Sequence, residues 1–252
     1  MGANNALVRS LIALGDDHLI LGHRLSQWCG HAPMLEEDLS LSNMALDLIG
    51  QATNIYSHAG QLEGKGRDED ALAYLRKEQQ YYNLLMVERP NFDFAHTMLR
   101  QFYFAVFMEL YWAEIQNLGE ETLRGIAGKA VKEMSYHVRH AGEWIIRLGD
   151  GTEESAARMK KAVTALHLYT DELFTVNGTL QLCIDGNTLP DPSKLREPWN
   201  AIVEQVFKQA FLQIPEIPFP QEGGREGRHT EDFGHLLCEL QYMQRAYPNQ
   251  KW

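Results

Sequence analysis

The sequence predicts an all-α helical bundle with long core helices. Apolar side chains recur at spacings of three and four residues over most of the 252 residues, and no β alternation of useful length interrupts them. Glycine and proline separate these periodic stretches, as expected where one helix stops and the next one starts. The chain shows no internal repeat, which argues against a solenoid and for a single bundle.

The first two core helices are predicted at about residues 5–29 and 34–62. The first carries an amphipathic stripe formed by Leu7, Leu11, Leu14, His18, Leu21, Leu25 and Trp28. Gly30 and Pro33 separate the two helices, because these residues interrupt the helical pattern. The second helix continues without a proline until the charged, glycine-bearing loop EGKGRDED.

The other two core helices are predicted at about residues 92–117 and 120–148, after a more polar helix at 68–88. The helix at 92–117 is apolar on nearly every face, which is typical of a central helix, and Gly119 is expected to end it. Glycines inside the helix at 120–148 lower its helix propensity. Close approach of a neighbouring backbone is the expected compensation at these positions, which are Gly125, Gly128 and Gly142.

The rest of the chain is predicted to form additional C-terminal helices on this bundle. Gly149 is expected to cap the end of the fourth core helix, and Thr152 is expected to cap the start of the next helix. The later elements are a helix at 152–174, an irregular stretch at 176–192, and helices at 193–211 and 230–246. We interpret residues 1–252 as a single domain with a C-terminal extension at about 176–252.

Composition limits the classes of function. The chain has 23 Lys and Arg against 34 Asp and Glu, a formal net charge of -11, and no local basic patch, so we expect no nucleic-acid partner. Its three cysteines form no CxxC pair, which favours a reducing compartment over a disulfide scaffold or a zinc site. No secretory signal and no membrane-spanning stretch is recognised, so we expect a soluble cytoplasmic protein.

One stretch of the fourth core helix suggests a metal site. On a helix Glu133, His137 and His140 fall on one stripe, at offsets of 0, 4 and 7 residues. Diiron carboxylate bundles require a glutamate from each of two helices and a Glu-x-x-His pair from each of the other two. The position three residues after Glu133 is Tyr136, so the second ligand of such a pair is missing.

The second core helix shows the same defect. Asp47 could occupy a carboxylate position, but the residue three positions later is Gly50, which has no side chain. A polar stripe follows this helix through Asn43, Asp47, Gln51, Asn54 and His58. Hydrogen bonds within the stripe or to a neighbouring helix explain it without a metal.

Other candidate ligands do not converge in the sequence. Three carboxylates precede a histidine by three residues, in the pairs Asp93/His96, Glu226/His229 and Asp232/His235. The first pair opens a helix, where an aspartate usually caps; the second lies in a glycine-rich loop; the third lies outside the core helices. Glu109 is a lone carboxylate among apolar residues, and Asp16, Asp17 and His18 suggest a solvated or inter-helix polar cluster. No GxSxG, phosphate-binding loop, dinucleotide motif or activated cysteine is present.

Three segments resemble the PaaC family, the C subunits of the bacterial ring 1,2-phenylacetyl-CoA epoxidase, or phenylacetate-CoA oxygenase. They are RLSQWCGHAPMLEEDLSLSNMALDLIGQA (24–52), KEMSYHVRHAGEWIIRLGDGTEES (132–155) and GGREGRHTEDFGHLLCELQYMQRAYPNQKW (223–252). The resemblance runs almost from end to end, and the order of the WCGHAP turn, the LGDGT turn and the C-terminal segment makes it specific. His229 and Glu231 lie in the third segment, for which the resemblance implies no catalytic role.

The resemblance implies a ferritin-like bundle in a cytoplasmic multicomponent monooxygenase that forms the ring epoxide of phenylacetyl-CoA. In this family a homologous A subunit holds the diiron centre and binds the CoA substrate. A small B subunit and a reductase with FAD and an iron-sulfur centre complete the electron path. The C subunit is expected to be a structural partner that docks A and holds no cofactor, and the isolated chain could form a homodimer.

Three hypotheses follow. In the first, the chain is a structural subunit with no catalytic residue and no metal ligand, so that Asp47, Glu133 and His137 mark a degenerate site. In the second, the chain is itself an iron oxidase that uses Asp47, Glu133, His137 and Glu109. In the third, it is a stand-alone helical binding protein. The first hypothesis requires no ligand that the sequence lacks.

Overall fold

The computed structural model describes residues 2–118, 120–248 and 250. Within these residues the secondary structure is helical, with no strand, which confirms the all-α prediction. The α-helices are α1 (Ala3–Ser26), α2 (Leu35–Glu63), α3 (Glu69–Tyr74), α4 (Leu85–Glu88), α5 (Phe94–Ile115), α6 (Glu121–Gly149), α7 (Glu153–Leu166), α8 (Gly178–Asp185), α9 (Arg196–Gln209) and α10 (Glu231–Ala246). Short 3-10 helices lie at Glu78–Gln80, His167–Tyr169, Asp171–Phe174, Pro192–Leu195 and Gly224–Glu226.

The residues group into two compact units. The first unit comprises Met1–Pro90, Asn177–Gly186 and Gly223–Trp252, and the second comprises Asn91–Val176 and Asn187–Glu222. The sequence interpretation of residues 1–252 as a single domain stays a prediction. No helix of residues 2–118, 120–248 and 250 pairs the length with the apolarity that crossing a bilayer requires.

In the first unit, α1 packs along α2, and α8 packs against α1. The close approach of α1 and α2 depends on Gly15, because a Cβ atom built on this glycine would lie only 2.5 Å from Cε1 of Tyr56. Tyr56 itself is buried and cannot swing out to solvent. A residue larger than glycine at position 15 would therefore push the two helices apart.

In the second unit, α5 packs against α6, α7 and α9. Every residue from Ala95 to Met108 is buried, so α5 has no solvent-facing side over these four turns. This observation confirms the prediction that the apolar helix is a central one. Asp93 begins α5 by accepting the backbone N–H of His96 at 2.9 Å. Gly119, the residue expected to end this helix, lies outside the described residues.

The prediction of one helix at 68–88 is wrong. The segment contains only the short helices α3 and α4 and the 3-10 turn between them. The backbone N–H of Tyr82 donates to Asp16 and that of Leu84 donates to Asp17, each at 2.7 Å. These two donors satisfy carboxylates on α1 instead of helix carbonyls, and the chain is extended at this point.

Three further predictions about the helices need correction. The helix expected at 152–174 ends at Leu166 and continues as two 3-10 turns, although Thr152 does cap its start. The stretch predicted to be irregular at 176–192 contains α8, because the Asn177 side chain accepts the N–H groups of Thr179 and Leu180. Gly149 is the last residue of α6 rather than its cap.

The prediction about the glycines of α6 is wrong at two positions. A Cβ atom on Gly125 or Gly128 would meet nothing within 4 Å, so no neighbour approaches closely there. A Cβ atom on Gly142 would make ordinary contacts with Phe102 at 3.4 Å and Val206 at 3.7 Å. The closest approach to α6 occurs instead at Gly149, whose Cβ would lie 2.3 Å from the Ala210 carbonyl oxygen.

Candidate functional site

The carboxylate and imidazole of α6 are each engaged by a neighbouring side chain. Lys129 lies one turn before Glu133, and its Nζ is 3.1 Å from Glu133 Oε1. His137 is fully buried, and its Nδ1 lies 3.0 Å from Nε2 of Gln101 on α5. Tyr136, which stands at the position of the missing histidine, is exposed. Only one of the two positions of a Glu-x-x-His pair therefore carries a metal-ligand side chain.

The position of Asp47 on α2 has the same deficiency. Asp47 is half-buried, and Gly50 three residues later contributes no side chain. The residues of the polar stripe that contains Asp47 differ in burial. Gln51 and His58 are buried, whereas Asn43 and Asn54 are exposed. Asp47 thus stands on its helix without an imidazole at the required offset.

These residues do not fit a diiron centre. Across residues 2–118, 120–248 and 250, no three His, Cys, Asp or Glu side chains lie close enough together to hold a metal ion. A dinuclear carboxylate site needs four carboxylates and two histidines that project into one gap. Glu109, the remaining candidate, is half-buried on α5 and supplies one carboxylate at most.

The other carboxylate and histidine pairs have structural roles. Asp93 caps α5 and also lies 2.7 Å from Nδ1 of His96, which confirms the capping interpretation. Glu226 pairs with Arg228 at 3.0 Å rather than with His229. Asp232 pairs with Arg89 at 2.6 Å rather than with His235.

Asp16 and Asp17 of α1 form a cluster with Tyr56, Arg76 and Arg225, which we call the buried charged network. Asp16 and Asp17 are both fully buried, so the expectation of a solvated cluster is wrong, whereas the alternative of a polar cluster between elements is confirmed. Asp16 accepts two hydrogen bonds from Arg76, one of them at 3.0 Å, and one from the Tyr56 hydroxyl at 2.5 Å. Burial and the Asp16 charge raise the pKa of Tyr56 well above its ordinary value.

Asp17 ties the C-terminal part of the first unit to α1. Its Oδ1 accepts from Nη1 of Arg225 at 3.0 Å, and its Oδ2 accepts from Nη2 at 2.7 Å. The Arg225 guanidinium also donates to the carbonyls of Ala13 and Tyr82. Burial raises the pKa of Asp17 to about 6, and the nearby Arg225 charge limits that rise.

A buried pair of His229 and Glu88 holds the same C-terminal segment. His229 Nδ1 lies 2.8 Å from Oε2 of Glu88, and both side chains are almost completely buried. Glu88 also accepts the backbone N–H of Thr230 at 2.5 Å and the side chain of Asn83 at 2.9 Å. Burial by itself lowers the pKa of His229, but the hydrogen bond and charge of Glu88 outweigh it, so the pKa is raised overall.

Sequence reasoning missed the partners in these two clusters. Arg76 and Glu88 lie in a stretch that the sequence predicts as a polar helix, and Arg225 lies in a glycine-rich loop. One signal was available, because Glu88 follows the apolar run LLMV, where a lone carboxylate suggests burial with a partner. Nothing in these clusters resembles a substrate site; they attach the C-terminal segment to α1 and α4.

An exposed apolar stripe runs along α2, and we call it the α2 leucine stripe. It consists of Leu35, Leu39 and Leu46, whose offsets of 4 and 11 residues place them within one narrow face of the helix. These side chains are 58% to 71% exposed. Exposed large apolar side chains that share one helix face often mark a protein interaction site.

Comparisons with known proteins agree with the resemblance drawn from the sequence. The family described as Phenylacetic acid catabolic protein matches residues 1–252. The C subunit of the 1,2-phenylacetyl-CoA epoxidase of Escherichia coli (strain K12) is 41% identical over 248 residues, which are 98% of this chain and 100% of that relative. Together with the helical structure, the family match confirms the predicted all-α, ferritin-like fold class.

Proposed function

Because the chain belongs to the phenylacetic acid catabolic protein family, we propose that it is the non-catalytic structural subunit of a multicomponent diiron monooxygenase. The enzyme epoxidises the aromatic ring of phenylacetyl-CoA in aerobic phenylacetate catabolism, in the cytoplasm. The full-length similarity to the C subunit of a 1,2-phenylacetyl-CoA epoxidase supports this assignment.

One observation carries the non-catalytic part of the proposal. Glu133, the candidate carboxylate ligand on α6, is paired with Lys129 at 3.1 Å. The exposed Tyr136 occupies the position at which a diiron site requires a histidine. A lysine ammonium beside the carboxylate would repel an iron cation at this position. The donor set on α6 therefore supports a carboxylate that pairs with a lysine instead of a metal ion.

The chain acts by docking and stabilising an iron-bearing A subunit that is homologous to it. The diiron centre belongs to A, and the FAD and iron-sulfur centre belong to the reductase, with a small B subunit as a further component. The α2 leucine stripe supports a docking role, because covering exposed leucines with a partner removes apolar surface from water and so lowers the free energy of the complex.

The test is reconstitution of epoxidation from A, B, the reductase and variants of this chain. We expect Glu133→Gln and Asp47→Asn to support the same turnover as the wild-type chain, because neither carboxylate binds iron. Omission of the chain should abolish or strongly reduce turnover. Loss of turnover with Glu133→Gln, in a variant that still binds A, would contradict the proposal and favour an iron oxidase that uses Asp47, Glu133, His137 and Glu109.

A further inference from the structure

A proline-rich segment at residues 211–222, FLQIPEIPFPQE, leaves the end of α9, and we call it the proline arm. Both ends of the arm are fixed to the second unit. The N–H of Leu212 donates to the Phe207 carbonyl, and the N–H of Gln221 donates to the Leu168 carbonyl, each at 2.9 Å. Between these bonds the arm has neither helix nor strand, and three prolines restrict its backbone.

Phe211 occupies a backbone position that normally favours glycine. Its φ angle is 54°, in the left-handed region, directly after the C-terminal cap of α9. A glycine would adopt this conformation without a steric cost. The phenyl ring is nevertheless 71% exposed, so packing within this chain does not offset the steric cost of this backbone conformation.

Phe219 lies between Pro218 and Pro220 and is 78% exposed. This is the largest exposed fraction among the large apolar side chains of the described residues. Pro215 and Pro218 form a P-x-x-P pair, the spacing that extended proline-rich ligands present to apolar grooves. A segment held in this way loses little conformational freedom on binding.

The charges of the arm indicate what kind of groove it suits. Glu216 and Glu222 are exposed, and no Lys or Arg occurs between residues 209 and 224. A complementary groove therefore carries Lys or Arg at its rim. A second copy of this chain is disfavoured as the occupant, because each copy has a formal net charge of -11 and the same acidic arm.

We propose that the proline arm inserts Phe211 and Phe219 into an apolar groove with a basic rim on the iron-bearing partner subunit. This inference rests on the proposed function and specifies the contact through which the second unit binds that partner. Exposed aromatic anchors of this kind dominate the affinity of many protein interfaces.

The test is the dissociation constant between the A subunit and the full chain carrying Phe211→Gly and Phe219→Ser. Glycine at position 211 removes the ring and relieves the left-handed backbone, so the melting temperature should stay the same or rise. We expect the dissociation constant to increase by about tenfold or more. Phe92→Gly is the matched control, because Phe92 is also an exposed phenylalanine with a positive φ, of 50°, outside the arm.

A charge-reversal variant, Glu216→Lys and Glu222→Lys, provides an independent measurement should the aromatic variant lose stability. It should weaken binding at low salt by about tenfold, and less at high salt. Unchanged affinity of the arm variants for A would overturn this inference and leave the proposed function in place. A wild-type chain that does not bind A, or that binds only itself in sedimentation, would overturn both.

Discussion

Asp16 joins three parts of the first unit, because its carboxylate on α1 contacts α2 and the segment that follows α3. Its two oxygens accept hydrogen bonds from Arg76, from the Tyr56 hydroxyl and from the Tyr82 backbone. The Asp16 charge raises the pKa of Arg76 although burial alone would lower it. The pair thus fixes the extended segment after α3 against α1 and α2.

We predict that Asp16→Asn destabilises the protein by about 3 kcal/mol or more, because it leaves the buried Arg76 guanidinium without a counter-ion. The measurement is the free energy of unfolding in urea at neutral pH. Asp70→Asn, at an exposed aspartate of α3, serves as the control and should change this free energy by less than about 0.5 kcal/mol. Equal effects of the two substitutions would show that the Asp16 pair is not a major anchor.

The His229 and Glu88 pair predicts a specific dependence of stability on pH. The pKa of His229 is raised above its ordinary value of 6.5, so the folded state binds this proton more tightly than the unfolded state. Its contribution to stability is therefore complete below pH 6.5 and is lost as the pH rises through the raised pKa. The pKa of Asp17 is raised to about 6, so Asp17 gives a pH dependence of stability with the same sign. A substitution at His229 leaves this Asp17 contribution unchanged.

We predict that His229→Gln lowers the free energy of unfolding by about 2 kcal/mol at pH ~6, and by clearly less at pH ~9. Urea unfolding of wild type and variant at both pH values measures the difference directly. A difference that is constant with pH would mean that His229 does not bind an extra proton in the folded state.

At this scale the sequence revealed one half of each interaction. It drew attention to Asp16 and Asp17 as charged residues among apolar neighbours, and to His229 because it follows Glu226 by three residues and lies in the C-terminal segment that resembles the family. It could not identify their partners, since Arg76 lies 60 residues from Asp16 and Arg225 lies 208 residues from Asp17. Which distant side chain meets a buried carboxylate is decided by the packing of whole elements, not by local spacing.

Among the elements, the four long helices were predictable because their apolar periods are long and uninterrupted. The observed bounds, Ala3–Ser26, Leu35–Glu63, Phe94–Ile115 and Glu121–Gly149, differ from the expected ones by a few residues. The segment at 68–88 was not predictable in the same way. Its residues have adequate helix propensity, but carboxylates on α1 compete for its backbone donors, and a tertiary interaction overrides a local preference.

The glycines of the helices give a test of local packing. We predict that Gly128→Ala raises the free energy of unfolding by about 0.5 to 1 kcal/mol, because alanine favours the helix and its Cβ meets nothing within 4 Å. Gly15→Ala should have the opposite effect, since its Cβ would lie 2.5 Å from Tyr56, which Asp16 holds in place. Thermal unfolding of both variants measures these effects. Stability changes of the same sign in the two variants would contradict this packing.

The α2 leucine stripe predicts an effect on association rather than on folding. We expect Leu39→Ser with Leu46→Ser to weaken binding to the A subunit by about tenfold or more, because the exposed leucines lose the burial that a partner provides. The free energy of unfolding should change little. Leu75→Ser is the control, at a leucine that is 64% exposed outside the stripe. Isothermal titration with A measures both variants, and equal affinities would remove the stripe from the interface.

For the molecule as a whole, the degenerate metal site at Asp47, Glu133 and His137 stays a prediction, and it was drawn from helix spacing. On a helix the offset of three residues fixes which side chain can join a carboxylate at a metal, so Gly50 and Tyr136 exclude the required histidines on spacing alone. The structure adds that Glu133 is paired with Lys129 and that Tyr136 is exposed. The exposed proline arm and leucine stripe depend on side-chain exposure, which the sequence pattern does not determine.

We propose that this chain stabilises an iron enzyme without binding iron. The most direct measurement is the iron content of each subunit after an active complex of A and this chain is assembled with ferrous iron and then separated under conditions that retain the metal. We expect about two irons on each A chain and no stoichiometric iron on this chain. Two irons on this chain would contradict its proposed structural role and favour an oxidase.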